Sequence, residues 1–256
     1  MFIDTHTHLY LEDFDTDRDE VMARAMKAGV EKFFLPNIDS SSIRVLHALC
    51  EKYPKQCFPM MGLHPCSVKE NYKEELSIAY DLLKKRKYYA VGEIGLDLYW
   101  DKTHIAQQIE AFKTQIQWAL ELNLPIVIHC RDAFNEIYEV LTQFKTLPKG
   151  IFHCFSGTTE QAEKVIGLKN FKMGIGGVVT FKNSGLDKTL EKVDLKYLVL
   201  ETDSPYLTPV PYRGQRNESS YLGIIARRLA EIKNCNVGQV AEVTTQNAIE
   251  IFGETA

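Results

Sequence analysis

PIVIHCRD, residues 125–132, is an apolar run that ends in a histidine, an arginine and an aspartate. A strand with one wet face alternates apolar and polar side chains, whereas this one reads as a parallel strand covered on both faces. A helical pattern follows at 134–144, so the stretch is one strand-plus-helix unit. The same unit recurs in both directions along the chain. Strand-like runs stand at 2–6 (FIDTH), 31–38 (EKFFLPNI), 57–65 (CFPMMGLHP), 88–97 (YYAVGEIGLD), 149–155 (KGIFHCF), 171–181 (FKMGIGGVVTF) and 197–205 (YLVLETDSP). Helical patterns separate them at 16–28, 40–53, 73–85, 105–122, 160–166 and 186–192, and two more follow at 221–232 and 237–252. Three serines open the 40–53 segment and suit a helix N-cap. Eight such units in about 250 residues is the arithmetic of a TIM (β/α)8 barrel. No composition break divides residues 1–256, so the expectation is a single α/β domain; an open, doubly wound sheet is the other topology that the strand count allows.

Composition limits the function classes. With 45% hydrophobic and 25% charged residues the chain is an ordinary globular one, not a coiled coil or a disordered segment. Thirty basic against 34 acidic residues leave a net charge of −4, so any polyanionic substrate must be met by local cations, not by a global basic field. The start, MFIDTHTHLYLEDFD, carries acids where a signal peptide would be basic, and no run approaches the roughly 18 apolar residues of a membrane span. The expected location is the cytoplasm, with no membrane partner. Six scattered cysteines, at 50, 57, 66, 130, 154 and 235, form no CxxC pair and read as small core residues rather than disulfides.

The chemistry collects at strand ends. His6 and His8 are two apart at the end of the first run, so alternation sends both rings to one face. Glu93, His129, His153 and Asp203 close later runs at intervals of 36, 24 and 50 residues, the last spanning one ligand-free strand. In a TIM barrel these positions converge on the C-terminal face, where active sites are built. Four imidazoles and two carboxylates crowded in an apolar mouth call for a cation, because buried carboxylates must be paired or coordinate metal. The donor set suits zinc or manganese, and magnesium if the carboxylates carry the binding. Six ligands exceed what one catalytic zinc uses, so the expected cofactor is two divalent ions, bridged by the two oxygens of Glu93. Cys130 and Cys154 each follow a candidate ligand and should point the opposite way, toward the helices. His47 and His104 sit in or beside helical patterns and are expected to take no part.

These pieces resemble the TatD family of metal-dependent deoxyribonucleases within the amidohydrolase-like barrels. DTHTHL (4–9), GLHP (62–65), GEIGLD (92–97), QIEAFKTQI (108–116), LPIVIHCRDA (124–133), HCFSG (153–157) and ETDSPYLTP (201–209) stand in the family's order over nearly the full length. The resemblance implies an eight-stranded barrel, a binuclear metal site and hydrolysis of phosphodiesters in DNA, often from the 3′ end. It implies one metal on His6, His8 and Asp203, the other on His129 and His153, with Glu93 shared, and it puts His64 near the reacting phosphate. Two departures are visible: RNESSYL places Ser219 where many members carry proline, and LYW at 98–100 lacks an arginine that is common near Trp100.

The mechanism expected from these residues is attack by metal-activated water on a phosphodiester, with Glu93 and Asp203 as the catalytic carboxylates and Asp203 orienting the water or taking its proton. Arg131, and Arg213 or Arg216, are candidate phosphate contacts, and Tyr99 and Trp100 offer rings on which a terminal base could stack. The expected partner is a DNA end, single-stranded, met by a monomer. Two other classes compete: a small-molecule amidohydrolase or phosphotriesterase-like enzyme on the same barrel, and a metal-binding scaffold whose catalysis has lapsed. Several of the former bridge their metals with a modified lysine, where this chain supplies Glu93.

Overall fold

The computed structural model describes residues 1–254. The strands are β1 (Phe2–Asp4), β2 (Val30–Pro36), β3 (Cys57–Met60), β4 (Val91–Asp97), β5 (Ile126–Arg131), β6 (Gly150–Phe152), β7 (Phe171–Ile175) and β8 (Leu198–Leu200). The helices are α1 (Arg18–Lys27), α2 (Ile43–Lys52), α3 (Tyr72–Lys85), α4 (Ile105–Leu122), α5 (Phe134–Thr142), α6 (Thr159–Gly167), α7 (Leu186–Lys192), α8 (Leu222–Lys233) and α9 (Val237–Phe252). Each strand pairs in parallel with the next within two runs, β1–β3 and β4–β8. Backbone hydrogen bonds join the runs: Tyr89 N donates to Pro59 O, Met61 N to Ala90 O and Gly92 N to Met61 O on one side, and Thr5 N donates to Leu200 O (3.0 Å) on the other. The ring therefore closes as a TIM barrel, and the open doubly wound sheet is excluded.

Alternation along the strands splits the core in two. Ile3, Phe34, Phe58, Val127, Ile151 and Val199 fill the barrel interior together with Ala248, Ile251 and Phe252 of α9, while Phe33, Leu35, Ile128 and Phe152 face the helices. Phe252 stacks on Phe34 with ring centroids 3.7 Å apart, so the C-terminal helix plugs the N-terminal end of the barrel. Only the opposite mouth is left open for chemistry. The register pairs Val127 with Ile151 on the inside, so His129 and His153, each two residues further on, emerge side by side at that mouth.

Several strands are shorter than the sequence suggests, for one physical reason: at the mouth the chain leaves the ladder to aim side chains inward. The run expected to stay extended to 181 ends at Ile175 and turns into a 3₁₀ segment at Gly177–Thr180. A Cβ on Gly177 would collide with the carbonyl of Leu207, so this close approach of two loops is open only to glycine. The serines before α2 do not cap it. Ser42 Oγ donates instead to Asn37 Oδ1 (2.8 Å), and Ser40 binds Glu75, which ties the β2–α2 loop to β2 and α3.

A charge network fastens the long segment after β8 to α1. Arg216 grips Asp17 with two bonds of 2.8 and 2.7 Å and reaches Glu218 at 3.2 Å, and Arg24 binds both oxygens of Glu218 at 2.9 and 2.7 Å. The guanidinium of Arg216 also lies over the ring of Phe14, 4.6 Å from its centroid. Arg216 is thus committed to a structural clamp rather than held free for phosphate. Its hydrogen bonds pull the Asp17 carboxyl from 3.8 down to about 2. A depressed carboxyl stabilises the fold above its unfolded value and loses that contribution as the pH falls through the folded one. Arg216→Met, which keeps the stem over Phe14, is therefore expected to cost roughly 1 kcal/mol near neutral pH after solvent screening. In urea titrations that deficit should fade between pH 4 and about 2; a deficit constant across that window would contradict the assignment.

Candidate metal centre

Glu93 sits at the focus of the mouth, 2% exposed, on a stretch of β4 where the pairing with β5 is irregular. Its Oε2 lies 3.1 Å from His6 Nε2 and 3.8 Å from His8 Nε2; its Oε1 lies 2.7 Å from His129 Nδ1, 3.1 Å from His153 Nε2 and 3.5 Å from His64 Nε2. Asp203 Oδ1 approaches His6 and His8 at 3.7 and 3.6 Å. The six side chains expected to converge do so, and His64 joins them. Groups of three side chains close enough to share an ion are His6–His8–Asp203, His6–Glu93–His153 and His64–Glu93–His129.

Each of three imidazoles is oriented from behind. Tyr10 donates its hydroxyl to Pro36 O (2.5 Å), so it must accept from His8 Nδ1 (3.0 Å), which leaves His8 Nε2 facing the centre as an acceptor. His153 Nδ1 donates to Glu201 Oε1 (3.1 Å), which also accepts from Cys154 N. His129 Nε2 donates to Asp97 Oδ2 (2.9 Å), turning Nδ1 inward. Outer acceptors of this kind fix tautomer and ring direction around a metal. Glu201 reaches His153 only because β7 offers Gly174 there: a Cβ at that position would collide with the carboxylate.

The residues present fit a divalent cation. His6 is fully buried, yet among the described residues neither of its ring nitrogens has a hydrogen-bond partner: Nε2 is close to Glu93 Oε2 but not in bonding geometry. Glu201 Oε2 is orphaned in the same way. Buried polar atoms without partners are costly, and lone pairs beside two carboxylates match a cation seat with nitrogen and oxygen donors.

Electrostatics follow from that crowding. Burial pushes the Glu93 carboxyl up, but His153, His6, His64 and His129 outweigh it and hold it well below the usual carboxylate range. Burial dominates at Asp203, raised to about 6 against the pull of His153 and His6. Burial opposes the charge on His153, yet Glu93, Glu201 and Asp203 lift it well above 6.5. At His8 burial prevails and lowers the value.

A cavity of about 710 Å³ opens above this cluster, lined among others by His64, Trp100, Arg131, Tyr206 and Leu207. Arg131 stacks on Tyr99 (4.1 Å to the centroid) and Trp100 (5.1 Å) at its rim; Tyr99 itself is exposed beside the lining. Arg213 lies over the ring of Phe181, 4.0 Å from its centroid. Ser219 is buried, its Oγ 3.4 Å from Thr7 Oγ1, so the position that departs from the family's proline packs under the mouth. Cys130 packs against the helix-side core as expected, although it also reaches the cavity edge, whereas Cys154 borders the cavity, against the expectation that it turns away. The reason is local: β6 ends at Phe152 and Cys154 takes a left-handed conformation, φ 48°, so alternation no longer governs it. His47 binds Tyr88 and Arg86 elsewhere, and His104 lies 3.5 Å from Glu70, both as expected. Sequence reasoning missed Asp97, Glu201, Tyr10 and Tyr206. The first two were visible as acids inside GEIGLD and ETDSP, but nothing local said which nitrogen each would hold.

Comparison with known proteins identifies the family of the chain. The model of the family described as TatD related DNase matches residues 3–253. The chain is 39% identical over 254 residues to the uncharacterized metal-dependent hydrolase YabD of Bacillus subtilis, covering 98% of this chain and 99% of that protein. It is 31% identical over 257 residues to the 3′-5′ ssDNA/RNA exonuclease TatD of Pantoea ananatis, covering 98% of each. The crystal structure of YJJV, a TatD homolog from Escherichia coli K12, superposes with a TM-score of 0.93 at 30% identity over 99% of this chain and 98% of that one. With the family model and relatives spanning almost its whole length, the chain belongs to the TatD related DNase family and is a metal-dependent hydrolase.

Proposed function

We propose that this chain hydrolyses phosphodiesters at the 3′ ends of single-stranded DNA, using two divalent ions. The observation that carries the reading is the division of Glu93: one oxygen faces His6 and His8, the other faces His129 and His153. In this reading His6, His8 and Asp203 hold one ion, His129 and His153 the other, and Glu93 both. Magnesium, manganese and zinc all suit the donors. The name of the Pantoea relative supports a nucleic-acid end as substrate. All the ligands come from one chain, which supports a monomer, and six free thiols support a reducing, cytoplasmic compartment. The whole of residues 1–256 then acts as one catalytic domain.

Bound divalent ions supply Lewis acidity, which activates water near neutral pH and offsets charge on phosphoryl oxygens. The chain's own groups do the rest. Asp203 would orient the attacking water and accept its proton. His64 accepts from Cys66 N through Nδ1 (3.1 Å), so its Nε2 carries the proton that it presents to the phosphate. Arg131 adds a local cation at the rim, in a chain whose net charge of −4 gives none globally. The faces of Tyr99, Trp100 and Tyr206 accept unpaired bases, and stacking on a ring asks for an unpaired strand.

Incubating the protein with 5′-labelled single-stranded DNA and Mg²⁺, Mn²⁺ or Zn²⁺ should give stepwise loss of 3′ nucleotides that chelator abolishes. Glu93→Gln should lower kcat by about a thousandfold or more. Arg131→Ala is expected to act mainly on KM, raising it about tenfold. Turnover of a simple amide or phosphotriester without DNA cleavage would move the assignment to the small-molecule hydrolases.

Metal binding should also depend on pH with a definite sign. In the metal-free chain His153 holds its proton through neutrality and Asp203 is protonated below about 6, so cations compete with protons at both. Affinity should rise with pH, and binding near pH 7 should release protons. Titration calorimetry in two buffers of different ionisation enthalpy reads this directly; equal enthalpies in both would contradict it.

A further inference from the structure

Asp97, at the end of β4, is 1% exposed and stands between two parts of the mouth. Its Oδ2 accepts from His129 Nε2 at 2.9 Å, while its Oδ1 accepts from the backbone N–H of Tyr99 (3.0 Å) and of Trp100 (3.1 Å). Its own backbone is gripped by Gln108 of α4, which accepts from Asp97 N (3.0 Å) and donates to Asp97 O (3.4 Å). The carboxylate is anchored from behind and spends each oxygen on a different task. Trp100, 68% exposed, meets the Arg131 guanidinium and the edge of the Tyr99 ring, 4.9 Å between centroids, so its position is set within this turn.

We infer that Asp97 is a positioning residue that holds His129 and the Tyr99–Trp100 platform in one register, so that cation binding and base stacking are set by a single side chain. The role of the platform rests on the nucleic-acid reading above; the role toward His129 does not. The chemistry of the two oxygens makes the inference sharp. Opposed donors require two acceptors: His129 N–H on one side, two amides on the other. A carboxylate supplies both. Asparagine has one acceptor oxygen and a donor in place of the second, so it can serve the amides or the imidazole but not both. Two amide bonds outweigh one, so Asp97→Asn keeps the platform and presents a donor to His129, favouring the wrong tautomer. Alanine releases both sides.

Trp100 and Trp118 are the two tryptophans of the chain, so Trp118→Phe leaves Trp100 as the single tryptophan, excited selectively over the twelve tyrosines at the red edge, and gives a readout that needs no substrate. In that background, titrating Mn²⁺ or Zn²⁺ into the metal-free protein should shift Trp100 emission, and Asp97→Ala should abolish the shift. Calorimetry should find the affinity for one of the ions lowered about 10- to 100-fold in both Asp97 variants. With saturating metal, Asp97→Asn should keep the KM for an oligonucleotide within about threefold of the parent, whereas Asp97→Ala and Trp100→Ala raise it. Thermal melts confirm that each variant is folded. Wild-type-like metal affinity in Asp97→Asn and Asp97→Ala, or Trp100 emission that ignores metal in the parent, overturns the inference. If the parent leaves every oligonucleotide intact, the nuclease reading fails by itself, while the emission and affinity measurements still decide what Asp97 does for His129.

Discussion

One buried anion organises the molecule. Glu93 is enclosed in the mouth of an apolar barrel, and an uncompensated carboxylate there would be prohibitively unstable. His6, His129 and His153 stand within 3.1 Å of it, with His8 and His64 just beyond. The barrel interior below is apolar and plugged by α9, so neither the charge nor its partners find a polar surrounding on that side. The strands must therefore deliver those histidines to one end, and every loop above them must leave a way in.

That requirement propagates outward as a shell of acceptors. Tyr10, Asp97 and Glu201 each hold the far nitrogen of one histidine, and each is itself fixed by backbone: Pro36 O, the amides of residues 99 and 100, and the amide of Cys154. Small residues make the shell possible, since Gly174 clears the space that Glu201 occupies. Farther out, the Asp17–Arg216–Glu218–Arg24 network pins the segment that follows Asp203 against α1, on the opposite side of the mouth from the Tyr99–Trp100 turn. Glu93 and His129 thus stand on strands, His6, His8, His153 and Asp203 on the residues just past strand ends, and the exposed aromatics sit on the loops around them.

Much of this was legible in the chain. Residues of ligand type at the ends of apolar runs announced His6, His8, Glu93, His129, His153 and Asp203, because a parallel barrel sends every strand end to the same face. Asp97 and Glu201 were present in the same motifs but silent. Whether an acid four residues past Glu93 touches His129 depends on the register of β4 against β5, where Asp97 lies opposite Arg131. Arg216 was misread for a related reason: its partner Asp17 lies 199 positions away, and an arginine in a loop looks free until the loop is folded back. Cys154 was misjudged because alternation was carried past the residue at which β6 stops.

By itself, then, the order of residues determined the repeat of strand and helix and the identity of the side chains at the strand ends, since these follow from periodicity and from chain direction, while closure of the ring was decided by hydrogen bonds between β1 and β8 and between β3 and β4. Tertiary structure alone decided which oxygen faces which nitrogen, which arginines are tied into ion pairs and which rings are left standing at the rim. Those are contacts between segments far apart in sequence, at distances of about 3 Å, and a difference of one residue in register or one turn of a loop reassigns them.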